Sequence, residues 1–374
     1  MRTEENRQEF YEFWLAGIQA IPGRKKIRLK SLFPEPEELY RLKPAQVSRI
    51  PFLTDLEKER LQESQRQPEA EIAGQIETCR ETGISLVLRE DASYPSRLRD
   101  IYNPPYALYC RGSLPEDARP AVALVGARNC SPYGKAVAKS VACHLAMAGL
   151  SVISGLAAGI DGAAHQGALR AGGWTYAVLG CGADVCYPAC HRQLYEALAM
   201  QGGVISEYPP GAKPLPMNFP QRNRLISGLS DAVLVVEARE KSGALITADF
   251  ALEQGKEVYA VPGRVSDAAS GGTNRLIRQG AGIFLSAEDF LGELGFFAGK
   301  QRPTSMKQKI TLEKLEMLLY SCLGFNPKNL DDLMEETALP LEAVLANLSS
   351  LQEKGCVSEI YKNYFVRAEI VQLQ

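Results

Sequence analysis

The sequence predicts an α/β protein built on a doubly wound parallel sheet, with a small helical domain before it and a winged helix-turn-helix after it. Between residue 120 and about residue 294, short β-rich runs alternate with alanine-rich helical stretches. These runs are AVALVG, LSVISG, TYAVLG, GGVISE, DAVLVVE and EVYAVPG. Because they are almost continuously apolar and are separated by helices, they predict parallel strands covered on both faces.

The N-terminal part, residues 1–90, has helical periodicity that proline and glycine interrupt, as in YEFWLAGIQAIPGRKKIRLKSLFP. Such a pattern predicts a small bundle of short helices. The doubly wound domain is then expected over residues 91–298.

A polar linker at residues 299–308 precedes a pattern of three helices and two short strands over residues 309–374. That order predicts a winged helix-turn-helix. Its third helix, LEAVLANLSSLQEK, has mainly Glu342, Asn347 and Gln352 as polar groups, with Lys354 at its end. Helices that recognise bases in the major groove present arginine, lysine, asparagine or glutamine, so a protein contact or a structural role is favoured here.

Composition limits the function classes. The 374-residue chain is 45% hydrophobic, which is typical of a globular protein of two or three domains. Lysine and arginine total 42 against 44 aspartate and glutamate, giving a net charge of −2. The whole chain is therefore not attracted to nucleic acid or to anionic membranes, and any polyanion site must be local.

The chain start and the cysteines indicate the compartment. MRTEENRQEFYEFWLAG is acidic where a signal peptide is basic, and no apolar stretch is long enough to span a membrane, so a cytoplasmic protein is expected. Nine irregularly spaced cysteines fit reduced thiols. CGADVCYPACH groups Cys181, Cys186, Cys190 and His191, but no second CxxC pair accompanies it, so small apolar cysteines are favoured over a metal site.

The first strand of the sheet leads directly into a glycine-containing turn and a helix. AVALVG is followed by ARNCSPYG, which places Gly126 and Arg128 before a helix that begins near Tyr133. Free backbone N–H groups and the helix dipole predict an anion pocket there, with an ordinary βα turn as the alternative. The stretch matches neither GxGxxG nor GxxxxGK(S/T), so no dinucleotide or triphosphate site is predicted.

The second strand-end loop is SGLAAGIDGAAHQGAL, which contains Gly155 and Gly159. Glycines there let the backbone pass close to a ligand. Asp161 is expected to cap the helix that contains His165. The alternative is an acid/base pair between these two side chains, which lie four residues apart, but no nucleophile motif accompanies them.

A third segment, NFPQRNR, connects strands GGVISE and DAVLVVE and contains Arg222, Asn223 and Arg224. In an open α/β sheet the ligand lies beyond the carboxyl ends of the strands, so both guanidinium groups are expected at the rim of that crevice. They would bind phosphate while an aromatic such as Phe219 or Tyr187 stacks a base. The alternative is a pair of surface arginines in salt bridges.

A further strand-end loop, EAREKSGALITA, adds Lys241. Together the loops contain glycine-rich backbone and scattered cations but few acids or nucleophiles, which predicts a surface that binds a phosphate backbone. Two alternatives remain. One is a nucleotide-processing hydrolase that acts on nucleoside monophosphates through Glu207 or Glu237. The other is a winged-helix regulator whose α/β domain senses a small ligand.

Several motifs in order resemble the bacterial DNA-processing protein family DprA, also called Smf. They are GARNCSPYG, SGLAAGID, HQGAL, GCGADVCYP, SEYPPG, FPQRNRLISGLS, VVEA with SGALITA, and AVPG with GTNRLIRQGA. The resemblance covers about the central half of the chain. It implies an extended Rossmann-like domain between an N-terminal helical (SAM-like) domain and a winged helix.

The same resemblance implies a function. Proteins of this family bind single-stranded DNA, form homodimers and help load the RecA recombinase during natural transformation, without established catalysis and without a cofactor. The family's GxR loop and FPxRNR segment form a positively charged DNA pocket. Its residues fall here on Gly126, Arg128, Phe219, Arg222, Asn223 and Arg224, with Gly155, Gly159 and Lys241 as flanking positions.

The chain departs from the family pattern in two places. His191 stands where many relatives have the asparagine of YPxxN. IPGRKKIRL lacks the GxG often found in that region, although Arg24, Lys25, Lys26 and Arg28 make it basic. Those cations either attract phosphate or form a solvated charge run.

Overall fold

The computed structural model describes residues 4–296, 312–324 and 327–367. The N-terminal part is helical and contains α1 (Glu4–Gly17), α2 (Gly23–Leu32), α3 (Pro36–Tyr40), α4 (Pro44–Val47), α5 (Asp55–Gln65) and α6 (Glu69–Thr82). Local sequence explains the boundaries. Thr54 and Glu57 form a capping box at the start of α5, and α6 ends at Gly83, whose φ of +68° suits glycine.

A nine-stranded sheet forms the centre of the protein. Its strands are β1 (Ile84–Leu88), β2 (Ala107–Gly112), β3 (Ala121–Val125), β4 (Ser151–Ser154), β5 (Thr175–Leu179), β6 (Gly202–Ser206), β7 (Ala232–Val235), β8 (Glu257–Ala260) and β9 (Gly282–Ile283). The strands from β3 to β9 are parallel to their neighbours, whereas β1 and β2 add an antiparallel edge. The spatial order is β1-β2-β6-β5-β4-β3-β7-β8-β9.

Helices cover both faces of the sheet. They are α7 (Pro132–Met147), α8 (Ile160–Arg170), α9 (Arg192–Met200), α10 (Asn218–Gly228), α11 (Gly243–Glu253), α12 (Gly271–Arg278) and α13 (Ala287–Glu293). Alternate residues of β3 show the two-sided burial. Val122 and Leu124 pack in the cluster with α7 and α8, while Ala123 and Val125 pack in the cluster with α10 and α11. This double burial explains the continuous apolar runs.

The sheet order reverses at β3. From β3 the chain proceeds through β4, β5 and β6 to one side and then returns to place β7, β8 and β9 on the other. The carboxyl ends of β3 and β7 therefore flank a topological switch point, where open α/β sheets bind ligands. This edge is called the carboxyl edge below.

The C-terminal part contains α14 (Lys314–Cys322), β10 (Lys328–Asn329), α15 (Leu330–Thr337), α16 (Leu341–Glu353), β11 (Val357–Tyr361) and β12 (Tyr364–Arg367). Its three strands form an antiparallel sheet in the order β10-β12-β11. Three helices and a β-hairpin in this order give the winged-helix arrangement. The predicted fold class, an extended Rossmann-like α/β protein with helical and winged-helix flanks, is confirmed.

The boundary predicted at residue 90 falls between two paired strands. β1 pairs with β2 in register from Ile84 opposite Arg111 to Leu88 opposite Ala107. Tyr106, Ala107 and Tyr109 also pack into the hydrophobic core of the N-terminal helices. The first strand of the sheet thus comes from the region assigned by sequence to the N-terminal domain. The predicted linker, residues 299–308, lies outside the described residues.

No helix in the described parts of the chain is both long and apolar enough to cross a bilayer. The nine cysteines are all free thiols. Cys181 and Cys186 direct their sulfur atoms to nearby backbone carbonyls, and Cys190 is exposed. Within the described ranges no group of three or more His, Cys, Asp and Glu side chains is arranged to hold a metal ion.

Candidate nucleic-acid interface

The loop after β3 is fixed by Glu237, which follows β7. The Glu237 carboxylate accepts hydrogen bonds from the Ser131 N–H at 2.8 Å and from the Ser131 hydroxyl. The Glu237 backbone carbonyl accepts from the Ala127 N–H, also at 2.8 Å. Gly134 has no room for a side chain, because an added Cβ would lie 2.4 Å from the Glu237 carboxyl carbon. The loop is therefore locked to the neighbouring strand.

The contacts between Glu237 and Ser131 show that the start of α7 is not the free anion pocket that the sequence predicted. Ser131 caps the helix by accepting from the Gly134 N–H at 3.0 Å, and the Glu237 carboxylate lies beside it. An internal carboxylate thus takes the place that a phosphate would occupy at this helix N-terminus. Gly126 is needed for packing, since a Cβ there would lie 2.6 Å from the Ile160 side chain.

Arg128 is the exposed cation of the loop. Its guanidinium carbon lies 5.1 Å from the centre of the Phe219 ring, in a cation–π arrangement. No hydrogen bond or ion pair engages its side chain among residues 4–296, 312–324 and 327–367. Arg128 thus presents a positive charge that forms no ion pair within the described ranges, and the Phe219 ring orients it at the carboxyl edge.

Phe219 and Tyr187 form an aromatic pair beside Arg128. Their ring centroids are 5.5 Å apart with the planes tilted by 36°. Tyr187 is 40% exposed and Phe219 is half-buried, with its other side against Gly180 at the end of β5. Phe219 lies in the first turn of α10, so the helix determines the ring's position. The pair offers an aromatic face that solvent can reach.

Arg222 lies under this edge and not at its rim. It is only 4% exposed, and its Nη1 donates to the Gly155 carbonyl at 2.9 Å and to the Val178 carbonyl. Burial lowers the pKa of Arg222 to about 10, with the nearby Asp161 carboxylate opposing the shift. The guanidinium therefore stays charged at neutral pH and ties α10 to the ends of β4 and β5.

Arg224 is also buried, at 6% exposure, and forms an ion pair with Glu207 at 2.6 Å. The expectation that both guanidinium groups lie at the rim is therefore wrong. Arg222 and Arg224 are two positions apart on α10, about 200° around the helix axis. One reaches the sheet and the other a neighbouring loop, so each meets a different internal acceptor.

Asn223 lies between them and is half-buried. Its side-chain nitrogen donates to the Gly243 carbonyl at 3.2 Å, and its oxygen accepts from the Arg222 Nε at 3.3 Å. Lys241 is exposed in the loop after β7, close in sequence to Gly243. Of the predicted cations at this edge, Arg128 and Lys241 face solvent.

Gly155 and Gly159 shape the loop after β4. A Cβ at Gly155 would lie 2.6 Å from Arg222 Nη2 and 2.7 Å from Asp161 Oδ2. Gly159 has φ of +81° and passes within van der Waals distance of the backbone of Arg128. Both glycines are therefore required by close contacts within the protein itself, and the predicted approach of their backbone to a ligand stays a prediction.

Asp161 and His165 do not form a pair. Asp161 Oδ2 accepts from the Gly155 N–H at 3.1 Å, so the carboxylate fixes the loop before its own helix. His165 is fully buried, and its Nδ1 lies 2.7 Å from the Thr175 hydroxyl, which in turn donates to the Val152 carbonyl. Because that hydroxyl donates elsewhere, Nδ1 carries the proton. The acid/base alternative is wrong.

The buried histidine predicts a pH dependence of stability. Burial, reinforced by His191 and Arg222, lowers the pKa of His165 from 6.5 to about 3. Below pH 6.5 the His165 side chain therefore binds a proton in the unfolded chain, whereas in the folded chain it stays neutral down to about pH 3. The contribution of His165 to the free energy of unfolding is at its maximum above pH 6.5. It decreases as the pH falls, by at most about 1.4 kcal/mol per pH unit.

Urea unfolding of the wild type and His165→Asn between neutral pH and pH 4.5 measures this dependence. The asparagine nitrogen replaces the Nδ1 donor but does not titrate. We expect the free energy of unfolding to fall less steeply for the variant. Equal slopes for the two proteins would contradict the assignment.

Sequence reasoning missed two residues of this edge, Asn218 and Ser131, and considered Glu237 only as a catalytic carboxylate. Asn218 is buried, and its side-chain nitrogen donates to the Gly180 carbonyl at 3.0 Å. Ser131 and Glu237 form the lock between β3 and β7. A carboxylate at the end of the apolar strand DAVLVVE was the available signal, because a charge in that position needs internal donors.

Fold and edge together define a Rossmann-like α/β protein whose carboxyl edge presents an exposed cation and an aromatic pair, the cation lying beside the topological switch point. The model of the DNA recombination-mediator protein A family matches residues 85–295. The chain belongs to this family, DprA/Smf.

Similar sequences and solved structures support this family assignment. The chain is 43% identical over 216 residues to the DNA processing protein DprA of Bacillus subtilis, covering 58% of this chain and 73% of the relative. It is 37% identical over 287 residues to protein Smf of Escherichia coli, covering 75% and 76%. The crystal structure of DprA from Streptococcus pneumoniae superposes with a TM-score of 0.66 at 33% identity, over 78% of this chain and 99% of that one.

A second similar structure concerns a ligand. DprA from Helicobacter pylori, described for its mode of binding single-stranded DNA, has a TM-score of 0.51 at 31% identity. It covers 56% of this chain and 95% of that chain.

Proposed function

We propose that this chain is a single-stranded DNA-binding recombination mediator that acts without catalysis. The observation that carries the proposal is the arrangement of Arg128, Phe219 and Tyr187 at the carboxyl edge. An exposed guanidinium binds a phosphate, and an exposed ring face stacks a base that is not paired. The ligand described for the Helicobacter pylori relative supports the same assignment.

In this proposal the predicted site residues divide into two groups. Arg128, Phe219 and Lys241 contact DNA, with Asn223 beside them. The buried or tightly packed residues hold the loops in place and do not touch the strand themselves; they are Gly126, Gly155, Gly159, Arg222 and Arg224. The loops are thus fixed before DNA arrives, which reduces the ordering cost of binding.

Membership of the recombination-mediator family supports a proposal about the partners. We propose that the protein acts in the cytoplasm as a homodimer, protects incoming single strands during natural transformation and helps load RecA onto them. A RecA filament assay on oligonucleotides with and without this protein tests the loading step. Unchanged filament growth in the presence of bound protein would reject it.

A hydrolase is not favoured by the geometry. Both candidate carboxylates are engaged inside the protein: Glu207 with Arg224, and Glu237 with Ser131. A catalytic acid must be within hydrogen-bond reach of its substrate. We therefore expect no release of free base from nucleoside monophosphates. Measurable turnover would support the hydrolase function instead.

The aromatic pair provides a sharp test. Phe219→Leu keeps an apolar side chain against Gly180 but removes the ring that faces Arg128 and the base. Loss of one stacked base is worth about 1–3 kcal/mol, so we expect about tenfold weaker binding of a fluorescent poly-dT oligonucleotide. Duplex DNA and mononucleotides should compete poorly against the wild type.

Trp174→Leu is the matched control. Trp174 is 40% exposed and has Arg119 over its ring at 4.8 Å, but it lies just before β5, at the opposite edge of the sheet. Binding should be unchanged in this variant. Equal losses in both variants would mean that the carboxyl edge is not the DNA site, and displacement by a mononucleotide would indicate a nucleotide pocket.

A further inference from the structure

Helix α2 contains five cations, three of which are satisfied inside the protein. Lys25 forms an ion pair with Glu57 at 2.6 Å, and Lys30 forms one with Glu12. Lys26 is buried and donates to the Ala16 carbonyl at 2.6 Å. The basic run in the sequence is therefore not a uniformly solvated face.

The remaining two cations, Arg24 and Arg28, are exposed and lie one helical turn apart on the same face. Neither has an acidic partner within the described ranges. Each guanidinium instead lies over an aromatic ring: Arg24 is 5.5 Å from the centre of Tyr102, and Arg28 is 4.3 Å from that of Phe52. Two free guanidinium groups are thus held in place by rings and not by carboxylates.

Tyr102 comes from the segment before β2, and that segment is locked to α2. The Arg24 N–H donates to the Asn103 side chain at 3.1 Å, and a Cβ on Gly23 would lie 2.1 Å from the Pro104 carbonyl oxygen. Tyr102 is nevertheless 73% exposed. The face formed by Arg24, Arg28, Phe52 and Tyr102, called the α2 patch, is therefore preorganised across the junction of the helical part and the sheet.

We infer that the α2 patch is a second contact for single-stranded nucleic acid. This inference rests on the proposed function and adds a site on the N-terminal part of the chain. The two arginines bind successive phosphates and Tyr102 stacks an unpaired base. Duplex DNA fits poorly because its bases are already stacked on each other, and an acidic peptide would not need an exposed ring face.

A length series separates this patch from the carboxyl edge. Fluorescent oligo-dT of about 6 nucleotides is short enough to fill one site, whereas about 40 nucleotides is long enough to reach a second. For Arg24→Ala/Arg28→Ala we expect about tenfold weaker binding of the long strand at low salt and unchanged binding of the short one. The salt slope for the long strand should decrease by about 1.4, which is about 0.7 for each lost phosphate contact.

Arg60→Ala/Arg80→Ala is the charge-matched control. Both arginines belong to the N-terminal helices and are about half exposed, but they form ion pairs with Glu63 and Glu9. This variant should bind both strands as the wild type does, and Tyr102→Leu should weaken only the long strand. Thermal unfolding of each variant confirms that the fold is intact.

The outcomes distinguish the two levels of the proposal. If neither strand binds the wild type, the proposed function itself fails. If both strands bind and the α2 variant matches the wild type at every length, the patch is rejected while the carboxyl edge stands. If Arg60→Ala/Arg80→Ala weakens binding of the long strand equally, the loss of affinity is due to net charge alone, and the patch is also rejected.

Discussion

Arg128→Ala is expected to weaken binding of a single-stranded oligonucleotide by about ten- to hundredfold at low salt, without loss of stability. The guanidinium is exposed and forms no ion pair or hydrogen bond within the described chain, so its removal should cost the fold little beyond a weaker electrostatic stabilisation of the buried Asp161 carboxylate. It takes away one phosphate contact and the cation on the Phe219 ring. The salt slope should decrease by about 0.7.

Two further variants test the specificity of that effect. Arg128→Lys retains the charge but loses the planar group over Phe219, so it should recover only part of the affinity. Arg192→Ala removes another exposed arginine, which is paired with Glu196 at 3.3 Å, and this variant should bind as the wild type does. Unchanged affinity and slope in Arg128→Ala would place the DNA elsewhere.

Arg222→Ala is expected to act on stability instead. Removing this guanidinium leaves the Gly155 and Val178 carbonyls without their donor and the buried Asp161 without its cationic neighbour. Breaking such a buried arrangement costs about 3–5 kcal/mol. Burial already raises the pKa of Asp161, and Arg222 opposes that shift, so the pKa should rise further in the variant.

Urea unfolding of Arg222→Ala beside Arg128→Ala measures the difference. The first should be strongly destabilised, whereas the second should stay within about 0.5 kcal/mol of the wild type. A double change, Arg222→Ala with Asp161→Asn, should be less destabilised than the sum of the single changes, because the stranded carboxylate is also removed. If Arg222→Ala is as stable as the wild type, the structural role is contradicted and Arg222 is again a candidate phosphate contact.

The contrast between the two arginines shows why the same residue type has two roles at one edge. Arg128 lies in a loop that Glu237 and Ser131 close, and its side chain rests against the Phe219 ring but stays exposed to solvent. Arg222 lies on a helix that packs on the sheet, so its side chain ends among strand-end carbonyls. We therefore expect that Arg128 mainly determines DNA affinity and Arg222 mainly determines stability, although both lie at the same edge of the sheet.

The fold could be predicted because burial on both faces leaves a strong trace in the sequence. AVALVG and DAVLVVE are apolar at every strand position, and only a covered parallel sheet requires that pattern. Tight packing around Gly155 and Gly159 was also predictable, because a glycine-rich turn indicates that a neighbouring group leaves no room for a Cβ. Helix boundaries were less certain, and FPQRNR proved to lie within α10.

The sequence by itself determined the parallel sheet, the winged-helix order and the chemistry available at the carboxyl edge: guanidinium, aromatic rings and glycine-rich turns. Only the tertiary structure decided which guanidinium groups face solvent. A charge in a sequence specifies what a side chain binds, but its partner is set by elements distant along the chain. Gly155 and Val178 for Arg222, Glu207 for Arg224 and Ser131 for Glu237 are such partners. Among the described residues Arg128 meets an aromatic ring but no hydrogen-bond acceptor or ion-pair partner, so its charge remains available at the surface.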